Sequence, residues 1–103
     1  METFELSQLV TEQRGSEKSY HEFLRVPAMN AGIYVLEAGQ LDPQQPHEQD
    51  EIYYVIEGRA LFSCDGHDDR PASAGSIIYV PAGLGHRFHS ITEDLTLLVV
   101  FAG

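Results

Sequence analysis

Apolar positions in this chain alternate with polar ones far more often than they recur at helical spacing, so the pattern is mainly one of strands. The exception comes first. Over residues 6–14 (LSQLVTEQR), Leu6, Leu9 and Val10 fall at i, i+3 and i+4 with Gly15 just beyond, which predicts one short helix. Gly15–Ser19 is polar and reads as a loop. Tyr20–Val26 predicts a strand stopped by Pro27, and Ala31–Glu37 a second one closed by Gly39. Residues 42–49 hold Pro43 and Pro46 and must be irregular or an edge, because proline cannot donate within a ladder.

Further on, Glu51–Glu57 and Arg59–Cys64 flank Gly58 at hairpin spacing, and Asp65-Gly66 marks a tight turn. Ser76–Val80 is a strand stopped by Pro81, His86–Ser90 another, and Leu95–Phe101 the last, with Thr92–Asp94 as the turn before it. Short strands with turn residues at regular intervals and almost no helix predict an all-β sandwich or barrel. The Leu95–Phe101 run is nearly continuous in apolar residues, which predicts burial on both faces. On a chain this small a second subunit would most simply cover the outer face, so a homodimer is expected.

Composition narrows the picture. At 103 residues the chain is a single domain (1–103, with residues 1–18 as a helix and arm). Such a domain buries roughly 60–68% of its unfolded surface and folds without staples. One cysteine, Cys64, excludes an intramolecular disulfide and fits a reducing compartment. A net charge of −10 argues against nucleic acid and against anionic membrane surfaces. The N-terminal METFELSQLV lacks a basic segment followed by an apolar run, and no apolar stretch approaches the ~20 residues of a membrane span. The expectation is a cytoplasmic protein.

The candidate chemistry lies in two segments. His47 and Glu51 are four residues apart where the chain becomes a strand; the even offset places both side chains, and Gln45, on one face. His86 opens a later strand just past Pro81-Ala82-Gly83. Two imidazoles and a carboxylate make a facial triad that leaves coordination positions open to water or substrate. A closed structural zinc site would ask for a fourth ligand and usually thiolates, and no thiolate cluster is present.

Both segments resemble the motifs of the cupin superfamily. The first (39–58) runs Gly39, five residues, Gln45-Pro46-His47, three residues, Glu51, six residues, Gly58. The second (75–90) runs Gly75, five residues, Pro81-Ala82-Gly83, two residues, His86, three residues, Ser90. Every signature position matches but two: Gln45 stands where the family has its first His, and Ser90 where it has Asn. The resemblance implies a double-stranded β-helix, or jelly-roll barrel, holding one divalent transition metal (Fe, Mn, Ni, Zn, Co or Cu). Its ligands would be His47, Glu51 and His86, with Gln45 as a candidate fourth. It also implies a metal-dependent enzyme of the dioxygenase, isomerase or lyase type acting on a small polar molecule, with Glu51 able to take on acid–base work. The alternative is a non-catalytic module that binds or senses a small ligand.

Parity along the strands extends the site. Tyr53 shares its face with Glu51, and Phe88 and Ser90 share theirs with His86, so all three are candidates to line a substrate pocket. Arg25 is a candidate for orienting a substrate carboxylate. His89 has the wrong parity for a ligand, and His21 and His67 fall where exposure explains them.

Overall fold

The computed structural model describes residues 1–43 and 46–103. Helix α1 (Leu6–Gly15) is followed by strands β1 (Tyr20–Val26), β2 (Met29–Leu36), β3 (Glu51–Cys64), β4 (Arg70–Ser73), β5 (Ile77–Val80) and β6 (His86–Ala102). All pairings are antiparallel, in the order β1-β2-β6-β3-β4, with β5 also on β3. This is the double-stranded β-helix. Pro27 and Ala28 close the β1–β2 hairpin, where proline's missing N–H costs nothing.

Helix α1 buries Leu9 and Gln13. The Gln13 amide donates to the Lys18 carbonyl at 2.9 Å, which fixes the loop into β1. Inside the barrel, Ile33, Leu36, Tyr53, Val55, Val80, Phe88, Leu95, Leu97 and Val99 are all but inaccessible to solvent. Each such side chain contributes about 1.5–3 kcal/mol of transfer free energy. Tyr53, Phe62 and Phe88 form a ring cluster with centroids 4.8–5.8 Å apart. Those are edge-on and tilted spacings that add to burial.

Two expectations are corrected. Glu51–Glu57 and Arg59–Cys64 are not a hairpin about Gly58; they are one strand, both halves pairing with β6. Gly58 has φ of +105°, and a Cβ there would stand 2.3 Å from the Asp94 carbonyl oxygen. It is a bulge at a close backbone crossing. Likewise His86–Ser90 and Leu95–Phe101 are one strand with no turn at 92–94. Between the pairs Arg59↔Glu93 and Leu61↔His89, β6 uses four residues where β3 uses two. The surplus falls at Ser90, whose φ is +50°.

That bulge reverses the side-chain alternation. Phe88 points inward, but Ser90 is exposed and Ile91 takes the inward place. The parity argument that put Ser90 in the pocket fails because it assumed an unbroken period of two.

Candidate metal centre and the cleft around it

Glu51 is the first residue of β3, and His86 the first of β6. The two strands run antiparallel, pairing Glu51 with Phe101 at one end and Cys64 with His86 at the other. The two residues therefore sit at opposite ends of one ladder, separated along β3 by roughly 43 Å of extended chain. Yet Glu51 Oε1 lies 3.1 Å from His86 Nε2. The ribbon is curled until its ends meet. The same curl brings the rings of Tyr53 and Phe62, nine positions apart on β3, to 5.8 Å.

His47 arrives from the loop before β3. Its carbonyl accepts from Gly83 N–H at 2.7 Å, and Asp50 Oδ1 accepts from Ala82 N–H at 2.8 Å. The Pro81–Gly83 turn is thus fastened to the loop that carries one imidazole while leading directly into the strand that carries the other. Gly83 can make that contact because it adopts φ of +80°. Ligand atoms of His47, Glu51 and His86 all fall within 4.8 Å of one another. Gln45 lies outside the described residues.

The protonation pattern favours a cation at this point. His86 Nδ1–H donates to the Leu84 carbonyl at 2.8 Å, which leaves the Nε2 lone pair facing Glu51. The Tyr53 hydroxyl lies 3.1 Å from that nitrogen. Glu51 is 2% exposed, and neither carboxylate oxygen has an aligned hydrogen-bond partner among the described residues. Leaving a buried carboxylate and a lone pair face to face costs several kcal/mol, which a proton or a divalent ion between them removes. Burial alone would lower the His86 pKa, but the adjoining Glu51 carboxylate and the Leu84 carbonyl outweigh it and hold the value above the usual histidine range. The donor set and the orphaned carboxylate fit a divalent metal held by His47, Glu51 and His86.

A cleft of about 840 Å³ opens onto this group, lined by Tyr20, Asn30, Tyr34, Tyr53 and Phe101 and, at the mouth, Lys18 and Arg25. Tyr53 is placed as its parity predicted. Phe88 is not a lining residue: it is fully buried, 5.1 Å from Tyr53 and 4.8 Å from Phe62 by ring centroids. Ser90 opens onto a separate surface depression. Arg25 reaches the cleft but is held by Glu22 at 2.8 Å. His89 bonds to Asp69 at 2.7 Å and His21 to Glu12 at 3.3 Å, both away from the triad.

Asp42 was not evident from sequence. It is buried at the start of the loop carrying His47, accepting from the Tyr34 hydroxyl at 2.7 Å and from Phe88 N–H at 2.8 Å. Burial and then the hydrogen bond to Asp42 push the Tyr34 hydroxyl far above the ordinary tyrosine range, so it stays a donor. Tyr20, Tyr34 and Asn30 also went unseen, because only the β1–β2 and β2–β6 pairings bring them to the cleft.

The fold and the family are shared with known proteins. A protein of Streptomyces coelicolor with no assigned activity is 45% identical over 102 residues, 99% of this chain and 96% of that one. The dimethylsulfoniopropionate lyase DddQ of Ruegeria pomeroyi is 28% identical over 76 residues, 74% of this chain but 38% of the lyase. Its crystal structure superposes with a TM-score of 0.74 at 22% identity, over 82% of this chain and 47% of that one. An RmlC-like cupin of Methanocaldococcus jannaschii with a double-stranded β-helix fold gives 0.73 at 19% identity, over 81% and 77% of the two chains. Residues 32–101 match the cupin domain model. The chain belongs to the cupin superfamily.

Proposed function

We propose that this cupin is a metal-dependent enzyme acting on a small polar molecule in the cleft, with His47, Glu51 and His86 as the metal ligands and Gln45 as a candidate fourth. The observation that carries the reading is the buried Glu51 carboxylate, without an aligned hydrogen-bond partner among the described residues, beside two imidazoles. A bound divalent ion would act as a Lewis acid on a carbonyl or carboxylate oxygen of the substrate. Within the chain, Leu84 holds His86 in the Nδ1–H tautomer, which frees Nε2 for the ion, and the Tyr53 hydroxyl stands beside it as a donor toward bound substrate. Glu51 has a second oxygen with which to accept a substrate proton. Likeness to a lyase supports elimination as one reaction class, beside dioxygenase and isomerase chemistry.

Elemental analysis by plasma mass spectrometry, on protein purified without a polyhistidine tag or chelator, tests the reading. Near-stoichiometric Fe, Mn, Ni, Co, Cu or Zn that is lost in His86→Ala is the expected result. Absence of metal after soaking with each ion would refute it and favour a non-catalytic binding module, the reading suggested by Gln45 in place of imidazole. Oxygen uptake across a substrate panel then separates an oxygenase from a lyase or isomerase.

The homodimer belongs to the same proposal. Ile52 and Tyr54 on β3 and Ile77 and Tyr79 on β5, paired across the ladder, leave 41–71% of their surfaces exposed. None is charged, so two copies of a chain carrying −10 meet there with least repulsion. A monomeric mass by light scattering at micromolar concentration would refute it.

A further inference from the structure

Three tyrosine hydroxyls face the cleft, and two are engaged: Tyr53 with His86 and Tyr34 with Asp42. The third, on Tyr20, is buried and has no hydrogen-bond partner among the described residues. Its ring can lie there only because β2 carries Gly32 beneath it. A Cβ on Gly32 would stand 2.3 Å from Tyr20 Cζ and 2.5 Å from its hydroxyl oxygen. Tyr20 packs against Phe101 with centroids 6.4 Å apart, and Phe101 in turn lies 5.0 Å from His47. The idle hydroxyl is thus one ring beyond the metal ligands. Beside it on the same wall, the Asn30 side chain is buried, lines the cleft and makes no hydrogen bond to the described residues.

An orphaned buried donor costs about 1–3 kcal/mol, so a wall that keeps the Tyr20 hydroxyl idle beside a cleft-lining amide is built for an acceptor. Burial, with Glu22 and Glu51 adding to it, pushes the Tyr20 pKa up to about 12, so the hydroxyl is a donor and not a base. Charge at the mouth gives the acceptor's sign. Arg25 is already neutralised by Glu22, and a divalent ion held by the triad would offset Glu51. Lys18, which forms no ion pair with the described residues, then leaves the cleft positive in a chain of −10.

We infer that the cleft takes a small dianion, with one oxygen group toward the triad and a carboxylate or similar oxyanion held by Tyr20 and Asn30 under the field of Lys18. Tyr20 is a positioning and specificity residue. The inference rests on the metal-site reading above, and its test separates the two. Succinate and its neutral diamide serve as probes, titrated calorimetrically into metal-loaded wild type, Tyr20→Phe and Lys18→Gln, with metal content measured on each sample.

Succinate should bind at least about tenfold more tightly than succinamide, and Tyr20→Phe should lose about tenfold in succinate affinity, the scale of one hydrogen bond to a charged group. Metal content and succinamide binding should be unchanged in Tyr20→Phe, a split that general loosening of the fold would not produce. Lys18→Gln should weaken succinate and flatten its salt dependence. Equal succinate affinity in Tyr20→Phe and wild type, or a diamide bound as tightly as the diacid, overturns the inference with the metal site intact. Wild type that takes no metal fails the earlier reading instead; succinate binding that still depends on Tyr20 would uphold the wall, and its loss would overturn it.

Discussion

Replacing Glu51 by Gln should make the metal-free protein more stable while abolishing its metal site. The carboxylate is 2% exposed without an aligned hydrogen-bond partner among the described residues, and His86, when neutral, offers it only a lone pair. An uncompensated buried charge costs on the order of 3–5 kcal/mol. The Gln amide fills the same volume at the lesser cost of unmet polar atoms, about 1–3 kcal/mol. The difference is about 2 kcal/mol in favour of the variant, or roughly 8–16 °C in Tm for a domain of this size.

The sign depends on pH. His86 has a folded-state pKa above its unfolded value, so its imidazolium stabilises the wild type fully below the unfolded value, and that contribution disappears as pH rises through the folded one. The gain in Glu51→Gln should therefore be largest at pH 8 and shrink toward pH 5, where imidazolium and carboxylate pair. The assay is thermal unfolding followed by circular dichroism, across pH, with and without metal. Wild type should gain stability on metal addition and the variant should not. A metal-free Glu51→Gln with Tm at or below wild type at pH 8 would refute the reasoning, as would a metal-induced shift that persists.

Gly58→Ala combines a φ of +105° with a Cβ placed 2.3 Å from a backbone oxygen, so a loss of more than about 3 kcal/mol in urea unfolding is expected. Asp42→Asn keeps the shape but turns one of two buried acceptors into a donor; about 2–4 kcal/mol should be lost, and Tyr34→Phe in that background should cost less than in wild type. Metal affinity, read by competition with a chromophoric chelator, should fall as pH drops through the raised His86 value, because the metal must displace a proton. Tyr53→Phe removes the hydroxyl beside His86 Nε2 and should leave metal content intact while lowering catalytic turnover more than substrate affinity.

The His47, Glu51 and His86 cluster was legible because the motif spacing around His47 and Glu51 and the Pro-x-Gly turn before His86 are local features. So was the β1 boundary at Pro27, where the missing N–H ends a strand whatever lies around it. What escaped sequence reading depended on the third dimension. Gly58 reads as a hairpin until β6 is seen crossing it, and Ser90 reads as inward until the bulge there breaks the alternation of β6. Asp42 sits in a proline-rich stretch that looks like solvent-exposed loop, and its two partners lie eight and 46 positions away. Nothing local marks Tyr20 as a wall residue, since its slot is made by a glycine on the neighbouring strand.

Because Glu51 and His86 terminate opposite ends of one curled ladder, the site is also the clasp of the barrel. Uncoiling the β3–β6 ribbon at Gly58, at Ser90 or anywhere between must pull those two residues apart. An ion shared by them would therefore resist opening of the whole ribbon, not of one loop. Its effect should fall on the escape rate from the native state: amide exchange along both long strands should slow together on metal addition, while refolding, which must curl the ribbon before the clasp can close, should keep its speed.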